Sequence, residues 1–121
     1  MVTERLVALF GTMAGAERGE GAFAPGPALW VGRREVAHID GDGALDIRLT
    51  RREISARRAA LRVTPGVVLK AGSDWLELDL AVADEGLARH LLLAAVAANM
   101  ASAPPGGLPM GADLERRRRF H

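Results

Sequence analysis

Apolar and polar residues alternate most sharply over Trp75-Leu76-Glu77-Leu78-Asp79-Leu80, where the three leucines share one face and Trp75, Glu77 and Asp79 the other. That period of two predicts a half-buried strand, and Gly72-Ser73-Asp74 just before it is turn chemistry. The same alternation recurs in Ala44 to Leu49, with Leu45, Ile47 and Leu49 opposed to Asp46 and Arg48. Leu29 to Val31 and Glu35 to Ile39 read as a hairpin around Gly32-Arg33-Arg34. Asp40-Gly41-Asp42-Gly43 then supplies a second turn, since glycine accepts the positive φ that tight hairpins require. Val67 to Leu69 pairs with the Trp75 strand in a further hairpin.

Helical spacing marks three other stretches. Leu6, Leu9, Phe10 and Met13 recur at i, i+3, i+4 and i+7 behind a possible cap, Thr3. Thr50-Arg51-Arg52-Glu53 has the form of a capping box, predicting a helix over Arg51 to Arg62 with Ile54 and Leu61 inward and Thr64-Pro65-Gly66 as its stop. Asp84 caps a third helix, Glu85 to about Met100. Its Leu87, Leu91, Ala94, Ala95 and Ala98 form one apolar stripe and Leu92, Leu93 and Val96 another, so the helix is either sandwiched or sits at a homodimer contact through residues 85–100.

The expected fold class is therefore α+β, a two-layer domain with a mainly antiparallel five-stranded sheet and helices on one face, in the order α-β-β-β-α-β-β-α. Residues 1–27 read as a helix and a mobile connection rich in Gly, Ala and Pro, residues 28–100 as the single domain, and 101–121 as a disordered tail ending in Arg116–Arg119.

Composition narrows the classes of function. With 121 residues and no cysteine, the chain has one domain's worth of core and neither disulfides nor thiolate metal sites. No apolar run reaches the ~20 residues of a membrane span, so no membrane partner and a cytoplasmic location are expected. Net charge is +1, which exerts no global pull on nucleic acid. The charge is unevenly spread, with nine basic and five acidic residues over 29–70 against one and five over 71–100.

Pairing across the Gly41–Gly43 turn sets Ile39 opposite Leu45, Ala37 opposite Ile47 and His38 opposite Asp46. A carboxylate beside an imidazole orients it as a general base requires, making His38 and Asp46 the catalytic candidates; the plainer reading is a surface ion pair. Trp30 lies across from His38 if the first hairpin loop has three residues, or in the core opposite Ala37 if it has two. Trp30, His38, Asp46, Arg48, Trp75 and Glu77, with Asp79, would suit a flat or cyclic small organic ligand.

No metal site is expected. An EF-hand needs glycine at its sixth position and glutamate at its twelfth, where this chain has Leu45 and Arg51. His38, His90 and His121 are too scattered for zinc. Arg51, Arg52, Arg57, Arg58 and Arg62 could meet phosphates, but the helix lacks aromatics to stack bases and reads as a solvated face, so nucleic acid is not the expected partner. No motif specifies a cofactor.

Three blocks, Trp30-Val31-Gly32-Arg33-Arg34-Glu35-Val36-Ala37-His38, Leu45-Asp46-Ile47-Arg48-Leu49-Thr50 and Gly72-Ser73-Asp74-Trp75-Leu76, resemble a family of small bacterial and fungal proteins labelled a luciferase-type domain. The resemblance spans Ala28 to Asn99 and implies an oxidative or light-emitting relative, with no catalytic residues to carry over. The element order also resembles the small YjbR-type and frataxin-like folds, at fold level only.

Overall fold

The computed structural model describes residues 1–22 and 25–102. Along the chain run α1 (Val2–Phe10), β1 (Glu17–Glu20), β2 (Pro27–Val31), β3 (Arg34–Ile39), β4 (Ala44–Arg48), α2 (Arg51–Arg62), β5 (Val67–Leu69), β6 (Trp75–Asp79) and α3 (Glu85–Ser102). The strands form one antiparallel sheet in the order β1-β2-β3-β4-β6-β5. The α+β class is as expected, but the sheet has six strands rather than five.

The additional strand is β1, inside the stretch expected to be a mobile connection. Glu17-Arg18-Gly19-Glu20 shows no apolar alternation because it is an edge strand. Main-chain pairing with Pro27–Trp30 holds it, and the Trp30 indole N–H donates to the Glu20 carbonyl at 3.1 Å. Neither force leaves an imprint on side-chain hydrophobicity. Glu17, Arg18 and Glu20 also keep this edge charged, which discourages pairing with another sheet.

One core face unites the sheet and the three helices. Leu29, Ala37, Ile39, Leu45, Ile47, Leu76 and Leu78 point into it, and Leu6 and Phe10 of α1, Ile54 and Leu61 of α2, and Leu91, Leu92, Ala95 and Val96 of α3 close over them. Leu76 and Leu78 are fully buried and Leu80 nearly so, as the alternation predicts. Leu92 and Val96 of the second stripe are core residues, which matches the sandwiched alternative for this helix, and Leu93 is left exposed.

The helix ends differ from expectation in two places. Thr3 lies inside α1, whose N-cap is Met1 with no side-chain bond. At α2 the Thr50 hydroxyl accepts from the Glu53 N–H at 3.3 Å, but the reciprocal half of the box is not made. The Thr50 N–H donates to the Asp74 carbonyl at 3.0 Å, and Glu53 turns to Arg57. Asp84 caps α3 through the Leu87 N–H at 3.1 Å. That helix continues to Ser102, and the rest of the expected tail, with Arg116–Arg119, lies outside the described residues.

Candidate functional site

The face of the sheet turned away from the described helices is assembled by register. His38 pairs with Asp46 as expected, Asp46 with Glu77, and Arg48 with Trp75, so all five side chains share that face. The β2–β3 hairpin departs from both alternatives drawn from its loop length. Its loop is the two residues Gly32-Arg33, with Gly32 at φ 59, yet Trp30 is not in the core opposite Ala37. Leu29 takes that place, and a bulge then sets Trp30 opposite Glu35.

The bulge is the local event that builds the site. Strict alternation from Ala37 would put Glu35 on the core face, where a carboxylate is costly to bury. Val36, the extra residue, absorbs one step of the alternation and packs into the core, so Glu35 emerges on the same face as His38. There Glu35 is 1% exposed and accepts the Ala22 N–H at 3.1 Å.

His38 is thereby held at both ring nitrogens. Its Nδ1 lies 3.0 Å from Glu35 Oε1 and its Nε2 lies 2.7 Å from Asp46 Oδ2. Burial opposes charge on the ring, but the hydrogen bonds to Asp46 and Glu35 and their negative charge outweigh it, raising the pKa from 6.5 to about 9. At neutral pH the group is an imidazolium with a carboxylate oxygen beside each ring nitrogen. The Trp75 ring lies beside it, centroids 5.6 Å apart and planes tilted by 46°, reaching diagonally over β4. Trp75 is 5% exposed although it lies outside the core cluster, so it is a wall behind the imidazolium rather than an open stacking platform.

The remaining candidates divide. Glu77 stands directly across from Asp46, and like charges so placed repel. Arg48 extends to Asp74 Oδ2 at 3.5 Å. The other oxygen of Asp74 accepts the Arg51 N–H at 2.8 Å, tying the β4–α2 junction to the start of β6. Asp79 accepts the Ala81 N–H at 3.0 Å and serves the turn after β6. Trp30 shares the face but sits on β2, three strand spacings from Trp75, or about 14 Å. The two tryptophans therefore do not flank one ligand.

Asp40, Asp46 and Glu77 each bring a carboxylate oxygen within 4.8 Å of the others, a juxtaposition not read from the sequence. Asp40 Oδ1 already accepts the Asp42 and Ala44 N–H groups at 2.9 and 3.2 Å, and Asp46 Oδ2 serves His38. With both groups so committed, the cluster is explained by the turn and the histidine.

Two polar residues were not picked out by sequence reasoning. For Glu35 a faint signal existed: Val36 and Ala37 are adjacent apolar residues, a break in alternation that a bulge produces. The other is Asn99, fully buried on α3, whose Nδ2 donates to the Arg48 carbonyl at 2.8 Å and the Ala95 carbonyl at 2.7 Å. It pins the last helix beneath the strand that carries Asp46 and Arg48. Comparisons with protein-family models, with curated proteins and with solved structures find no match to this chain.

Proposed function

We propose that the chain is a binding module that holds a small polar organic ligand against its outer sheet face, at the patch formed by His38, Asp46, Glu77 and Arg48. The observation that carries this reading is the rigid imidazolium, fixed at both nitrogens by Glu35 and Asp46 and backed by the Trp75 ring. Pre-organised polar groups beside a buried aromatic lower the ordering cost of binding. Trp75 then reports occupancy through its environment rather than by stacking on the ligand.

Titrating tryptophan fluorescence against flavins, aldehydes and related polar aromatics tests the reading. A saturable change that disappears in an Asp46→Asn/Glu77→Gln double variant is expected. A flat response from the wild type across the whole set would remove the proposal.

The oxidative, luciferase-type reading draws less support. A general base must be unprotonated, whereas His38 holds its proton until about pH 9. Turnover that depends on His38 and rises as pH climbs through 9 would restore it. Self-association through α3 now rests on Leu93 and Met100 alone among the large apolar residues of that helix, because Leu92 and Val96 are buried.

A further inference from the structure

The charged surface that the site above does not use is the flank of α2. A helix turns about 100° per residue, so positions 51, 55, 58 and 62 fall in one line. In this chain that line is Arg51, Ser55, Arg58 and Arg62, with Arg52 beside it. Three of the four arginines are exposed and Arg58 is half-buried. At 1.5 Å per residue the line runs for about 16 Å.

Ion pairing separates these arginines from Arg57 of the same helix and from those on the other helices. Arg5 and Arg89 both meet Glu85, and Arg57 meets Glu53. Among the described residues, none of Arg51, Arg52, Arg58 and Arg62 has a carboxylate partner. The single glutamate of α2 lies on the opposite flank and is taken by Arg57. The arrangement also costs stability. Arg58 and Arg62 are like charges at i, i+4, and Arg51 and Arg52 occupy the first turn, where the helix dipole favours anions. A bound polyanion relieves both penalties.

We propose that this arginine line docks on the phosphate backbone of double-helical nucleic acid, without reading sequence. Guanidinium groups suit phosphates because they can donate two parallel hydrogen bonds. The residues between them are Ser55, Ala56 and Ala59, all exposed. The face thus carries no aromatic ring to stack unpaired bases, and the exposed Val63 next to Arg62 is a single apolar side chain, too little to anchor the helix in a bilayer. The absence of aromatics counted against single strands; it does not count against a duplex, whose bases are already stacked.

The test is fluorescence anisotropy of a labelled random-sequence DNA duplex of about 20 base pairs, titrated with the full chain between roughly 50 and 200 mM salt. Three phosphate contacts give a slope of log K against log salt of about −2.7, so binding should weaken roughly 40-fold over that range. An Arg58→Gln/Arg62→Gln variant should lower the slope to about −1, and Arg58→Lys/Arg62→Lys should keep it near the wild-type value. Circular dichroism of each variant confirms that α2 is retained, glutamine and lysine being good helix formers. The proposal is overturned if the wild type fails to bind at the lowest salt, or if binding does not respond to salt. It is equally overturned if the slope survives in the Gln variant but is lost when Arg116–Arg119 are changed to Gln, or if vesicles of anionic lipid bind and the duplex does not.

Discussion

His38 is the residue on which the outer face turns, and its charge sets a pH signature. Its folded pKa of about 9 lies above its ordinary value of 6.5. The stabilisation is therefore fully present below pH 6.5 and is lost as pH rises through 9, amounting to about 3 kcal/mol at most. Urea unfolding at pH 6 and at pH 9.5 should show the loss, and a His38→Gln variant should show a flatter profile. Removing one carboxylate isolates its share. In Glu35→Gln the amide oxygen still accepts from Ala22, but the negative charge beside the ring is gone. The His38 midpoint followed by NMR should then fall by about one pH unit or more. An unchanged midpoint would mean that Asp46 alone governs the ring.

At the scale of elements, turns and junctions decide where the strands meet. Gly66, between α2 and β5, has φ 85, and a Cβ there would come within 2.8 Å of the Ala83 backbone nitrogen. Replacement by alanine should cost about 1–3 kcal/mol. Gly41, in the β3–β4 turn, has open space around it and is not among the positive-φ glycines. Gly41→Ala should lie within about 0.5 kcal/mol of the wild type, on the stabilising side if it differs. Chemical denaturation of the two variants checks the contrast, and equal destabilisation would refute it. The α2 start was legible for a local reason: Thr50 and Glu53 are three residues apart and the cap is made within them. Its second half was not, because the Thr50 N–H is claimed by Asp74, 24 residues further along the chain.

Across the whole molecule, one core carries the stability. Leu76 is fully buried among residues from both layers, and Leu76→Ala should cost about 2–5 kcal/mol. Leu93, on the same helix as the buried Leu91 and Leu92 but 59% exposed, should tolerate alanine within about 0.5 kcal/mol. Thermal unfolding of both variants distinguishes a single core from one shared with a partner, since Leu93 would become costly if a second copy covered it.

Residue order by itself determined the inward leucines of β6, the pairing of His38 with Asp46, and the start and stop of α2. Each follows from a period or a turn spanning only a few residues. Tertiary structure decided that a charged segment would become the first edge strand, that β4 would lie against β6, and, beyond the faint signal of the adjacent Val36 and Ala37, that Glu35 would face His38. Those outcomes depend on main-chain bonding between distant segments and on one bulge, and hydrogen bonds between backbones are nearly blind to the side chains that a sequence displays.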